Sequence, residues 1–285
     1  MATVTAPGGT RSVPPRRRRR TPWRVLRENI VWVFAIIAFI FLLLPNVIVV
    51  LFSFNKPNGR FNYTWTKFSF DAWTDPCGPP GLCDALQLSL KIGFFSTLVA
   101  TVLGTGVAFA LGRYRFRGRG SANLLVFLPM ATPEVVMGSS LLTLFVSLGW
   151  SLGSTTIFIA HVMFCLSYIV VTVKARVASL DPRLEQAASD LYANEFQTFF
   201  RVTLPLVAPG IASGALLAFS LSFDDYIVSV FNSGNAITFP IYIYGAAQRG
   251  TPVQLNVIGT WMFLIAIFAV GIGQIVAARR RKFRW

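Results

Sequence analysis

Six long apolar stretches constrain this chain more than any other feature. A helix needs about 20 mostly apolar residues to cross roughly 30 Å of hydrocarbon, and segments 30–52, 86–111, 123–148, 155–173, 208–231 and 257–277 all meet that length. Only 13% of the 285 residues are charged, where an ordinary soluble domain carries about 25%. Most of the surface must therefore face something other than water. The expected fold is all-α: a polytopic membrane protein of six transmembrane helices over residues 23–278.

The net charge of +15 does not point to nucleic acid. The basic residues fall in short clusters at 16–20, 113–119 and 279–284, between apolar runs, and no basic stripe interleaves with aromatics on one face. Residues 1–22, rich in Pro, Gly, Thr and Arg, read as a disordered basic tail, and 279–285 as a second basic tail. Both fit topology determinants, with attraction to anionic lipid as an added role. The first span has too long an apolar core, and no small-residue cleavage site, to be a signal peptide.

The positive-inside rule orients the spans. With both termini in the cytoplasm, the inside segments hold Arg11, Arg16–Arg20, Arg24 and Arg27, then Arg113, Arg115, Arg117 and Arg119, then Lys174, Arg176, Arg183 and Arg201, and five basic residues at the C-terminus. The outside segments hold Lys56, Arg60, Lys67 and Arg249, with Lys91 near a span end. Cys77 and Cys83 then lie outside, where a disulfide can form. Two unpaired thiols in a surface loop are the alternative. No His or further Cys stands beside them to suggest a metal site.

The inside segment 174–207 does not look passive. Asp181-Pro182 reads as an N-cap followed by Pro, with a short helix to Leu191 and a break near Tyr192-Ala193. Asn194 caps a second helix with Gln197 as its capping-box partner, and Leu204-Pro205 is expected to end it. Phe196, Phe199 and Phe200 sit at helical spacing there. They either enter a groove on another protein or pack against the chain's own spans.

The stretch Glu185-Gln186-Ala187-Ala188, with Val202-Thr203-Leu204-Pro205, resembles the EAA motif of ABC importer permeases. Gln186 occupies the motif's Glu position and Tyr192 its Gly position, so Tyr192 either builds a different turn or bears a strained positive φ. Phe61-Asn62-Tyr63, Thr132-Pro133-Glu134-Val135, Ser222-Phe223-Asp224-Asp225-Tyr226 and Thr238-Phe239-Pro240-Ile241-Tyr242 are similar to the spermidine/putrescine branch, second-permease type. The resemblance implies the type I importer fold in a bacterial plasma membrane. It also implies a homologous permease, two ATPase copies gripping residues 182–205, and an external substrate-binding protein. Branches for ferric iron or sulfate share the EAA segment. No Gly-x-x-x-x-Gly-Lys-Ser/Thr loop is present, so the chain is expected to be non-catalytic, with ATP and Mg held by the separate ATPase.

Acids inside spans are costly and mark pathways or partners. Glu134, Asp224 and Asp225, with Phe223, Tyr226, Tyr242 and Tyr244, suit a polycation with an apolar stem. The other reading is that the acids hold the assembly together. Adjacent Asp224 and Asp225 cannot both face one way on a helix, so one is expected to be structural. His161 reads as a packing histidine rather than a proton relay. Pro45, Pro129 and Pro133 fit kinked or broken helices around a cavity. A proton-coupled secondary transporter is the rival class.

Overall fold

The computed structural model describes residues 22–282, with side chains over 29–275. Apart from Pro22, the expected N-terminal tail lies outside these residues, as do residues 283–285. In chain order the helices are α1 (Pro22–Phe52), α2 (Asp71–Thr74), α3 (Leu82–Arg113), α4 (Arg119–Ala131), α5 (Glu134–Ser147), α6 (Ser154–Ala178), α7 (Arg183–Asp190), α8 (Glu195–Thr198), α9 (Leu204–Asp224), α10 (Ile227–Asn232), α11 (Phe239–Arg249) and α12 (Val253–Lys282). Among the described residues, five helices are long and apolar enough to cross a membrane, and α4 with α5 makes a sixth span if the bent pair is counted as one.

The chain divides into a unit of residues 52–261 and a second unit comprising residues up to Leu51 together with those from Met262 onward. In the second unit the α1 side chains from Ile30 to Leu51 are mostly exposed aliphatics and aromatics, the surface expected of a lipid-facing span. The larger unit is centred on α3, α6 and α9. Along α3, Ala100, Gly104 and Ala108 recur every fourth residue, and both alanines are fully buried. A Cβ at Gly104 would lie 2.9 Å from Ile169 Cγ2 on α6. Small residues let helices approach closely where lipid supplies no hydrophobic drive for association, and α6 answers with buried Ile169, Val170, Val173 and Val177.

Segment 53–81 is ordered by asparagines. Asn55 Nδ2 donates to Asn62 Oδ1 (2.6 Å) and Thr64 O (2.8 Å), while its Oδ1 accepts from Thr66 N (2.9 Å). Asn62 in turn donates to Phe52 O at 2.9 Å. Phe54 stacks on Phe68 and Trp73, and Cys77 and Cys83 are disulfide-bonded with Cα atoms 5.4 Å apart.

Two expected spans are not single helices. The 123–148 segment breaks at Thr132-Pro133, bending by 106° between α4 and α5. The 208–231 segment stops at Asp224 and restarts as α10 after an extended Asp225 (φ −67°, ψ 120°). The expected helix end at Leu204-Pro205 is also absent: α8 runs through a π-helical turn, Phe199–Thr203, into α9. The turn re-pairs backbone as Leu204 N–H donates to Phe199 O. A π-turn just upstream of Pro205 adjusts the ladder where proline supplies no donor.

Candidate functional site

The two breaks meet. A cavity of about 580 Å³ is lined by residues 129–134 from the first break and 224–228 from the second, with Phe164 and Tyr168 of α6. Glu134, Asp224 and Asp225 all line it, and no Lys or Arg stands among its lining residues. The C-terminal ends of α4 and α9 and the N-terminal ends of α5 and α10 are all at the cavity, so the opposite helix-end charges offset one another and the carboxylates set its sign. Phe164, Tyr168 and Tyr226 add aromatic faces. The arrangement attracts cations and offers rings against which a cation's alkyl stem can lie.

The acids differ in their surroundings. Glu134 opens α5 rather than sitting within a continuous span, and its side chain is exposed. A carboxylate in a first turn is favoured by the positive helix end. Asp224 is exposed, whereas the Asp225 side chain is 7% accessible. Asp225 Oδ1 accepts from Val228 N (3.3 Å) and Oδ2 from Ser229 N (2.7 Å), capping α10. Asp225 Oδ2 also lies 3.3 Å from His161 Nε2. His161 is fully buried, with Nδ1 2.7 Å from Ser222 Oγ and Nε2 3.1 Å from Ser229 Oγ.

The aromatic expectations divide. Tyr226 lines the cavity, and Tyr244 reaches it indirectly, its ring 4.7 Å from that of Tyr226. Phe223 packs instead between Phe219 and Phe239. Tyr242 lines a separate cavity of about 650 Å³ with Arg60 and Arg249. Both were expected on the path because aromatic rings suit a polycation, and neither is among the residues lining the first cavity. Sequence reasoning missed Phe164 and Tyr168. They are four residues apart on one face of α6, but nothing local marks that face as cavity-lining.

The segment 182–205 presents a second cluster. Asp181 Oδ1 accepts from Arg183 N (2.9 Å) at the start of α7. Asn194 and Gln197 form a reciprocal capping box, with Gln197 N donating to Asn194 Oδ1 (2.8 Å) and Asn194 N donating to Gln197 Oε1 (3.2 Å). Between them Tyr192 adopts φ +60°, the only positive φ at a non-glycine among the described residues, and is 97% exposed. The glycine-like turn is therefore kept, with the strain borne by tyrosine.

Glu185 turns inward. Its Oε1 accepts from Arg113 Nη2 (2.8 Å) and Thr203 Oγ1 (2.9 Å), tying α7 to the end of α3 and to the π-turn. Phe199 likewise packs on Phe109 of α3 rather than facing outward. Gln186 and Ala187 are exposed, Ala188 and Leu204 are half-buried, and Pro205 is exposed. Leu191, Tyr192, Phe196 and Phe200 form an exposed apolar set, with the last two rings 4.4 Å apart.

A family described as "Binding-protein-dependent transport system inner membrane component" matches residues 90–282. The chain belongs to that family. Two relatives of this inner membrane component are permeases. One is the spermidine/putrescine transport system permease protein PotC of Haemophilus influenzae, 36% identical over 86% of this chain and 95% of that protein. Another is the putrescine transport system permease protein PotI of Escherichia coli K12, 36% identical over 93% of this chain and 94% of that protein. The fold is shared with a bacterial ABC transporter that imports the acidic polysaccharide alginate, at TM-score 0.63 and 17% identity over 93% of this chain and 99% of that one. The inner membrane component is therefore a multi-pass permease of the type I importer fold.

Proposed function

We propose that this permease carries a polyamine, spermidine or putrescine, through the cavity where its two broken helices meet. The observation that carries this is the charge of the lining: three carboxylates, three aromatic rings and no base. The names of the 36%-identical relatives point the same way. The second cavity, with Arg60 and Arg249 and no acid among its lining residues, suits no polycation.

Transport is powered from outside the chain. A separate ATPase pair, binding ATP and Mg, docks on the cytoplasmic face made by Leu191, Tyr192, Phe196 and Phe200. A homologous permease completes the path, and an external binding protein delivers substrate. ATP-driven closure of the ATPases moves α7 and α8, and the Glu185 contacts pass that motion to α3 and α9. F200D is expected to uncouple hydrolysis from transport. F199D would instead disrupt the chain's own packing on Phe109.

The test is uptake of labelled spermidine and putrescine in cells deleted for this chain and lacking redundant polyamine systems. Loss of uptake, restored on re-expression, is the expected result. Unchanged uptake would move the substrate to another solute of the same importer class.

A further inference from the structure

Asp224 and Asp225 are consecutive and line one cavity, but the carboxylate of Asp225 is already occupied. A carboxylate offers about four lone-pair sites; Asp225 commits two of them to the N–H groups of Val228 and Ser229, and His161 Nε2 lies 3.3 Å from its Oδ2. The histidine does more than accompany it. Its Nδ1 pairs with Ser222, in the last turn of α9, and its Nε2 faces Ser229 and Asp225 on the α10 side. One ring on α6 thus straddles the break between α9 and α10.

The clamp extends in both directions. Ser222 Oγ lies 3.1 Å from Ser96 Oγ on α3. At the other end of α10, Asn232 O accepts from Thr156 Oγ1 of α6 (2.7 Å), and Asn232 Nδ2 donates to Gly138 O of α5 (3.3 Å). The helix that begins with Glu134 is therefore held to the same frame.

We infer that His161 and Asp225 are positioning residues, and that Asp224 is the aspartate that meets the cationic group of the substrate. The pair fixes the turn at 225–226 so that Asp224 and Tyr226 face the cavity. Here the buried network uses one acid to orient its neighbour. This division of roles rests on the cavity being the substrate path.

The experiment uses the complete transporter in membrane vesicles, with D224C in a C165S background and a positively charged methanethiosulfonate reagent. Adding D225A is expected to change the labelling rate about tenfold, and D225N by less than about twofold, because an amide oxygen keeps the Ser229 and His161 contacts. H161Q, which spans the break from one side, should fall between them. In parallel, D224N should raise the spermidine KM about tenfold at unchanged membrane abundance. Equal responses to D225N and D225A, no response to either, or an unchanged KM in D224N would overturn the assignment. Labelling does not depend on the substrate, so absence of spermidine uptake in the wild-type complex would count against the polyamine reading alone.

Discussion

At Thr132-Pro133 the helix breaks because proline removes a donor and disfavours the helical region for the residue before it; at Asp225-Tyr226 neither residue forbids a helix, and the break is held from α6. Thr132 is extended (φ −80°, ψ 132°), as a pre-proline residue should be. Asp225 is extended too, but its conformation is secured by His161, by Ser229 and by the capping of α10. One break is written in adjacent residues, and the other is assembled from residues far apart in sequence. Alteration of the first is therefore expected to cost little stability, and alteration of the second much more.

The largest expected effect comes from H161F. It leaves Asp225 and two buried serine hydroxyls short of partners, for a loss of about 3–5 kcal/mol, seen as a fall in Tm of the purified complex. P133A should leave Tm within the change of about 1 kcal/mol usual for mild substitutions. Equal destabilisation by both would erase the contrast. P133A acts on geometry instead: removing a constraint worth about 3 kcal/mol in a helix interior should populate a straighter α4–α5, measured as a longer distance between spin labels at positions 124 and 144.

Tyr192 offers a third departure from helix, with local strain and no tertiary support. Because its side chain is almost wholly exposed, Y192G loses little packing and should stabilise by about 1 kcal/mol, raising Tm by a few degrees. The smallest effect belongs to Asp71, whose exposed carboxyl is held below its usual range by Lys56, with Ser69 assisting. A depressed acid stabilises above its unfolded pKa and loses that contribution as pH falls through the folded value. K56A should therefore flatten a slight acid-side slope in Tm against pH.

The sequence exposed what local rules control. The spans follow from apolar length, the capping box from Asn194 and Gln197, and the first break from Pro133, which already pointed to helices interrupted around a cavity. The resembling motif's glycine left Tyr192 either a different turn or a strained one, and its φ of +60° decides for strain. What escaped notice depends on tertiary partners. Nothing near Asp225 announces a break, since the residue that holds it is 64 positions away, at His161. The helix geometry expected to set the two aspartates apart does not apply, because Asp225 is extended at the break; both line the cavity and differ instead in burial and partners. Spacing left open whether Phe199 meets another protein or the chain's own spans, and Phe109 of α3 takes it; Glu185, aligned with the coupling motif, is turned inward by Arg113. Phe223 and Tyr242 lie off the first cavity because of their packing partners: Phe223 packs between Phe219 and Phe239, and Tyr242 lines the second cavity with Arg60 and Arg249.

The most direct test of the account is to map where a photoreactive spermidine derivative attaches in the complete transporter stalled with a non-hydrolysable ATP analogue. Labelled peptides containing residues 129–134 and 224–228 are expected, with labelling reduced by D224N. Attachment to residues 237–252, around Tyr242 and Arg249, with 129–134 and 224–228 left unlabelled, would contradict it.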